Sequence, residues 1–155
     1  MKYLTKFFSK IGRYRIIPDR RTGEDYLHRY YLFLKNRTLF PFNLVLHKIV
    51  RSDDPIFHDH PWAYCTVILA GGYYEHTPVY MNGKVIGDSR TWKGPGSVIY
   101  RNATEYHWLE LKNEEPATTL FFMGPQRREW GFLVDNQWIR HDVCVDNWAE
   151  LVTSK

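Results

Sequence analysis

The chain of 155 residues is the size of one domain, and its composition, 44% hydrophobic and 25% charged, is typical of a globular protein. Two cysteines, Cys65 and Cys144, are too few for a disulfide framework or a cysteine-rich zinc module. The net charge of +4 is unevenly spread: residues 1–21 sum to +6 and the remainder to −2. Nucleic-acid-binding proteins usually carry basic residues across the folded face, so we expect no nucleic-acid partner.

Residues 1–21 are interpreted as a basic N-terminal arm that precedes a single domain over residues 22–155. Apolar residues recur in the arm at helical spacing with lysines between them, namely Leu4, Phe7, Phe8 and Ile11. This pattern predicts a short amphipathic helix that docks on the domain, with contact to a membrane surface as the less favoured alternative. Lysines interrupt the apolar stretch and no small-residue cleavage site follows it, so we expect a cytoplasmic protein without a secretory signal.

Short apolar stretches separated by turn residues make up the rest of the chain. Residues 26–34 fit either a strand or a buried helix, because periodicity does not decide between them. Asn82-Gly83 is a strong hairpin signal. The predicted strands cover residues 43–50, 56–60, 62–70, 73–80, 85–92, 97–101, 106–111, 118–123, 129–134 and 138–145. Strands about ten residues apart, without a long helical pattern between them, predict an all-β sandwich or closed barrel.

Among the seven histidines, His58 and His60 form a distinctive pair. They stand two residues apart on an extended segment, so both imidazoles leave the same face while Asp59 points away. Two converging neutral imidazoles suit a transition metal, although an isolated pair of this kind is weak evidence for one. Three of the other histidines are expected to be structural: His28, His76 and His141.

The pattern continues downstream in a definite order. Gly71 lies eleven residues after His60, and Pro95-Gly96 is followed, eleven residues after Gly96, by His107. These residues resemble the two motifs of the cupin family. The resemblance covers residues 43–125 and implies a single-domain double-stranded β-helix, a jelly-roll barrel, here with a short N-terminal helical arm. It also implies a mononuclear site in which His58, His60 and His107 hold a divalent transition metal, with Fe, Mn, Ni and Zn all left open.

Four longer sequence segments are similar to segments of a group of small bacterial and phage cupins. These segments are HKIVRSDDPIFHDHPW, ILAGGYYE, PGSVIYRNATEYHWLEL and GPQRREWGF. This closer resemblance implies the fold and no particular reaction. Because cupins often form dimers, it also leads us to expect a homodimer.

One position departs from the cupin pattern. Cys65, five residues past His60, stands where the family has a glutamate. The resemblance therefore implies a three-histidine site, similar to that of the thiol dioxygenases of the cupin superfamily. Three residues are candidates for a fourth ligand: Cys65, for which we predict a position near the metal, His47 on the preceding strand, and Glu75, the nearest carboxylate after the first motif.

Three residues are candidates for a catalytic role: Arg101, Tyr64 and Glu105. Arg101 could clamp a carboxylate or phosphate, or form a structural ion pair. Three functions remain open. The first is an oxygenase-like, mononuclear non-haem metal enzyme acting on a small molecule. The second is a sugar isomerase or epimerase that uses histidine and tyrosine acid–base chemistry. The third is a non-catalytic barrel that binds a small ligand.

Overall fold

The computed structural model describes residues 2–35 and 40–146, and the structural statements below concern those residues. Helix α1 (Lys2–Lys10) opens this part of the chain and helix α2 (His141–Asp146) closes it. The eleven strands between them are β1 (Tyr14–Pro18), β2 (Asp25–Tyr31), β3 (Asn43–Ile49), β4 (Tyr64–Ala70), β5 (Tyr73–Met81), β6 (Lys84–Lys93), β7 (Val98–Arg101), β8 (Trp108–Leu111), β9 (Ala117–Met123), β10 (Gly131–Val134) and β11 (Gln137–Arg140).

The strands form two antiparallel layers that face each other. One layer is a six-stranded sheet in the order β1-β2-β3-β9-β4-β7. The other consists of a three-stranded sheet, β6-β5-β8, and a two-stranded sheet, β10-β11. Isolated bridges from His58 to His107 and to Phe132 join these two smaller sheets into one layer. The all-β, jelly-roll architecture expected from the sequence is therefore confirmed.

Alternating side chains fill the space between the layers. Along β3, the side chains of Asn43, Val45, His47 and Ile49 are buried in turn, as expected for a strand with one face toward the core. The main apolar cluster combines residues from both layers: Leu27, Ile49, Ile68, Tyr73, Ile99, Leu109, Leu111 and Ala117. Between β5 and β6, Asn82 and Gly83 have φ of 51° and 76°, which is the backbone of the predicted two-residue hairpin turn.

Two segments needed the structure to settle their conformation. Residues 26–34 fitted either a strand or a helix, and they contribute to β2, which pairs with β1 and β3. Residues 138–145 were predicted as one strand, and this is wrong, because β11 ends at Arg140 and α2 follows. The strand stops there because its only partner, β10, begins at Gly131, which pairs with Arg140.

The predicted N-terminal helix is present and docks on the barrel. The ring of Phe8 meets that of Tyr30 edge-on at 5.7 Å, and the hydroxyls of Thr5 and Tyr30 are 2.8 Å apart. Residues 14–18, within the segment that we defined as the arm, form β1 and extend the six-stranded sheet. The domain boundary at residue 21 stays a prediction. Neither helix of the described residues has the length and apolar character needed to cross a membrane.

Candidate metal centre

The barrel brings the two histidine motifs together through backbone hydrogen bonds. The amide of His58 donates to the carbonyl of His107, and the amide of His107 donates back, both at 3.0 Å. The amide of His60 donates to the carbonyl of Ala103 at 3.1 Å. Residues almost fifty positions apart in sequence are thereby fixed side by side at the seam between the two smaller sheets.

The three imidazoles converge on one point. The Nε2 atoms of His60 and His107 lie 2.8 Å apart, and one ring nitrogen from each of His58, His60 and His107 lies within 4.8 Å of the others. Metal–imidazole bonds are about 2.0–2.1 Å long, so two such ligands at right angles have nitrogens about 3 Å apart. The three predicted ligands therefore have a separation that suits a single metal ion.

Burial keeps two of these rings uncharged. Removal from water is the main reason that the pKa of His58 falls to about 4; the negative charge of Asp53 opposes this shift, and the neighbouring His107 adds to it. The pKa of His60 is also well below its ordinary value, chiefly through burial and then through repulsion from His107 and His58. Neutral imidazole is the form that binds metal ions, so the site is ready to accept one near neutral pH.

Glu75 orients His107 from behind. Its carboxylate is 2% exposed, and its Oε1 accepts a hydrogen bond from Nδ1 of His107 at 3.1 Å. Burial favours the neutral acid, but hydrogen bonds from His107 and Arg101 outweigh it and lower the pKa of Glu75 to about 2. With Nδ1 engaged, His107 presents Nε2 to the cluster, as in the carboxylate–histidine–metal arrangement of many metal sites. Glu75 thus positions His107 and lies outside the group of converging nitrogens, so its candidacy as a fourth ligand is corrected.

Arg101 and Glu105 belong to the same ion-pair network rather than to the cluster itself. Arg101 donates to Glu75 from Nε at 3.1 Å and from Nη2 at 2.8 Å, a two-pronged contact. Its Nη1 reaches Glu105 at 3.3 Å, and Glu105 also accepts from the amide of Asn102. Of the two roles considered for Arg101, the structure places it in the structural ion pair.

Tyr64 is the one catalytic candidate whose side chain reaches the cluster. Its hydroxyl oxygen lies 3.2 Å from Nε2 of His107, and its ring stacks on Phe121 with centroids 4.7 Å apart. Burial, followed by the negative charge of Glu75, raises the pKa of Tyr64 well above 10. The phenol is therefore protonated and can donate a hydrogen bond into the site.

Cys65 faces away from the histidines. It follows Tyr64 on β4, and successive side chains of a strand point to opposite faces. Its register partners are Tyr100 and Phe122, both exposed on the outer side of the sheet. The prediction that Cys65 lies near the metal is therefore wrong: β4 places Tyr64 on the inner face.

His47 lies inside the barrel but outside the three-histidine group. Its Nε2 accepts a hydrogen bond from Nε of Arg29 at 2.9 Å, and its ring lies 4.9 Å from that of Phe121. Its side chain is buried between the two layers. The structure does not place it among the nitrogens that could hold a common ion.

Asp59 anchors the segment that carries His58 and His60, a role that the sequence did not indicate. Its side chain is fully buried, with 0% exposure, and accepts hydrogen bonds from the amide of Gly131 at 2.7 Å and from Nε1 of Trp138 at 3.1 Å. It also pairs with Arg128. The expectation that Asp59 points away from its neighbours agrees with this arrangement, but nothing local in the sequence connects it with partners about seventy residues later.

Comparison with known proteins identifies the fold. No family model matches the sequence, and no curated protein matches it. A cupin-2 domain of Rhodospirillum rubrum matches with a TM-score of 0.56 and 12% identity over 90% of this chain and 88% of that one. A predicted oxalate decarboxylase of Thermotoga maritima matches with a TM-score of 0.52 and 18% identity over 72% and 91%.

A third match is Fe(II)-HppE with an alternative substrate, at a TM-score of 0.52 and 10% identity. The alignment covers 73% of this chain but only 56% of HppE, so the chain spans just over half the length of that enzyme. Identities this low establish the architecture alone. The protein has the cupin fold, and the resemblance noted in the sequence is confirmed at that level.

Proposed function

We propose that the protein is a mononuclear non-haem metal enzyme, oxygenase-like, that acts on a small molecule. The observation that carries this proposal is the convergence of His58, His60 and His107 with the Glu75 carboxylate behind the last of them. Three imidazoles leave coordination positions open for a substrate and for O₂ or water. HppE, a fold neighbour, was solved with Fe(II), so Fe(II) is the first ion to test, ahead of Mn, Ni and Zn.

The chain's own groups suit such a centre. A bound divalent ion would supply Lewis-acid or redox chemistry to the substrate. Glu75 would hold His107 in the required tautomer, and the protonated Tyr64 would donate a hydrogen bond to a group beside Nε2 of His107. The ring of Phe132 borders His58 and that of Phe121 stacks on Tyr64, and both rings would limit access of water.

Metal binding tests the proposal directly. Protein purified without added metal is analysed for its metal content and then titrated anaerobically with Fe(II), and separately with Mn, Ni and Zn. We expect one ion per chain, and we expect His60→Ala to abolish binding. His28→Ala is the matched control, because His28 contacts Tyr14 away from the cluster. Equal affinity in the wild-type and His60→Ala proteins would overturn the assignment.

The reaction class requires a second measurement. Oxygen consumption by the Fe(II)-loaded protein is recorded with a panel of thiols and small organic acids, and with His60→Ala as the blank. Substrate-dependent consumption that disappears in the variant supports an oxygenase. One bound metal ion per chain without turnover of any compound would instead favour the non-catalytic barrel that binds a small ligand.

A sugar isomerase or epimerase is the second candidate, favoured by the contact between Tyr64 and His107. The two groups lie 3.2 Å apart, and Glu75 holds the far side of the imidazole. Such a triad can remove a proton beside a carbonyl and return one. Activity on sugar substrates that survives complete chelation of metal, but is lost in Tyr64→Phe, would select this alternative.

A homodimer remains a prediction. The outer side of β7 supports it, since Val98 and Tyr100 are 67% and 63% exposed there. Their neighbours across the sheet include Cys65 and Phe122, so apolar side chains continue on the same face. Light scattering coupled to size exclusion measures the mass in solution, and a change of Tyr100 to Lys is expected to yield monomer.

A further inference from the structure

A second group of polar side chains lies on β1, β2 and β3. Arg15 pairs in register with Arg29, and Arg29 pairs with His47. Paired residues of neighbouring strands project from the same face of a sheet. Two positions along, Ile17, Leu27 and Ile49 form the equivalent row and belong to the apolar core. Arg15, Arg29 and His47 therefore lie on the core-facing side of the six-stranded sheet.

The positive charges of Arg15 and Arg29 in the row that they form with His47 are not balanced by a carboxylate among the described residues. The Nε of Arg29 donates to Nε2 of His47 at 2.9 Å, so this nitrogen carries no proton. Burial and then the charge of Arg29 hold the pKa of His47 well below its ordinary value, and the imidazole therefore cannot contribute a charge of its own. The other polar groups near Arg29 are the phenol of Tyr31, which accepts a hydrogen bond from it, the phenol of Tyr26 and the guanidinium of Arg15. Within residues 2–35 and 40–146, neither Arg15 nor Arg29 forms an ion pair with a carboxylate.

This arrangement differs from that of two other partly buried arginines. Arg101 is neutralised by Glu75, and Arg128 by Asp59. A partly buried guanidinium without an anionic partner is costly, and two like charges directly opposite each other on a sheet add to the cost. A negatively charged ligand would remove both penalties, and the planar guanidinium suits a two-pronged contact with an oxyanion.

The row is continuous with the histidine cluster. The ring of His47 lies 4.9 Å from Phe121, that of Phe121 lies 4.7 Å from Tyr64, and that of Tyr64 lies 4.8 Å from His60. Arg15 is exposed, whereas Arg29 is partly buried. The charged row therefore leads from an exposed position on the edge strand β1 toward the imidazoles, past a series of aromatic rings.

We propose that Arg29, assisted by Arg15 on the exposed edge strand β1, binds the oxyanion group of the substrate, so that the reactive end lies at the histidine cluster. The ligand class is a small organic acid, carrying a carboxylate or a phosphate-type group. The idea of a substrate reaching the metal rests on the proposed function, but the anion site itself is a property of the apoprotein. It can therefore be tested without metal.

The test measures anion binding by calorimetry on metal-free protein at low ionic strength. The probes are malonate, inorganic phosphate and malonamide, a neutral counterpart of malonate. We expect malonate or phosphate to bind, malonamide not to bind, and the dissociation constant to rise about 10- to 100-fold in Arg29→Gln, because charge-assisted hydrogen bonds are lost. Binding of malonate alone assigns a carboxylate, and binding of phosphate assigns a phosphate-type group.

Matched variants separate this site from general charge effects. Arg29→Lys keeps the charge but loses the planar fork, so we expect intermediate affinity. Arg90→Gln removes an exposed arginine that is already paired with Glu110, and should bind like the wild type. Arg15→Gln alters only an exposed position, so it keeps the test available if Arg29→Gln does not fold, and we expect affinity to fall several-fold.

The outcomes distinguish the two proposals. Anion binding that is lost in Arg29→Gln but retained in His60→Ala supports the oxyanion site even where metal titration fails. Wild-type protein that binds neither malonate nor phosphate, or Arg29→Gln that binds like the wild type, overturns the oxyanion site and leaves the metal assignment untouched.

Discussion

Replacing Glu75 by Gln removes a negative charge shared by Arg101 and His107 at the centre of the barrel. The carboxylate is almost fully buried and accepts two hydrogen bonds from Arg101 and one from His107. Its pKa is about 2, compared with 4.5 for an unperturbed glutamate. A difference of this size corresponds to about 3 kcal/mol of folding free energy, at about 1.4 kcal/mol for each unit of pKa. Breaking a buried ion pair costs about 3–5 kcal/mol, which is the same order.

The pH dependence follows from the direction of the pKa change. Because folding lowers the pKa of Glu75, its contribution to stability is present above pH 4.5 and is lost as the pH falls toward 2. We therefore expect the free energy of unfolding of metal-free Glu75→Gln protein to be about 3 kcal/mol lower than that of the wild type at pH 7. The difference between the two proteins should shrink below pH 4.5. Urea unfolding at pH 7, 4.5 and 3 measures it, and the metal affinity should fall about 10- to 100-fold.

Glu110→Gln is the matched control. Hydrogen bonds from Arg90 and His76 lower the pKa of Glu110 to about 2 as well, yet its side chain is 35% exposed. Solvent screens an ion pair of this kind, so the expected loss is below about 1 kcal/mol. Equal losses in the two variants, or a loss below about 1 kcal/mol for Glu75→Gln at pH 7, would contradict the positioning role of Glu75.

Four further changes test other parts of the structure. Asp59→Asn should lower the unfolding free energy by about 3 kcal/mol, because it breaks the buried pair with Arg128, and chemical denaturation measures this. Cys65→Ser should leave metal affinity unchanged, and alkylation of Cys65 followed by mass spectrometry should proceed equally with and without metal. Stability of the metal-free protein should fall as the pH is lowered from 6.5 through 4, since burial lowers the pKa of His58 in the folded state to about 4. Deleting residues 2–11 should cost about 1–3 kcal/mol of packing, while cooperative unfolding and metal binding persist.

Features set by local chemistry were predictable from the sequence. Asn82 and Gly83 both adopt the positive φ that their hairpin turn requires. The alternation over residues 43–49 produces a strand with its apolar face inward. The two-residue spacing of His58 and His60 places both rings on one side, and the resemblance to cupins supplied His107. Each of these inferences needs only the chain neighbourhood or a motif in order.

Features set by distant contacts were not predictable in the same way. Whether Tyr64 or Cys65 faces inward depends on where β4 begins after Pro61, and alternation cannot be counted across the intervening turn. The pairing of Asp59 with Arg128 joins residues 69 positions apart. The end of β11 at Arg140 is dictated by the length of its partner strand rather than by its own residues.

A comparison of two arginines, Arg29 and Arg101, illustrates why the tertiary structure decides function here. In sequence, Arg29 and Arg101 are both basic residues on apolar strands, and either could bind an anion. The fold places Glu75 against Arg101, so that guanidinium is occupied and serves to hold His107 through the shared carboxylate. The same fold gives Arg29 the neutral His47 and the phenol of Tyr31 but no carboxylate among the described residues, and its charge is left for a ligand. A single buried carboxylate thus separates an arginine that orders the metal site from one that is available to recruit a substrate.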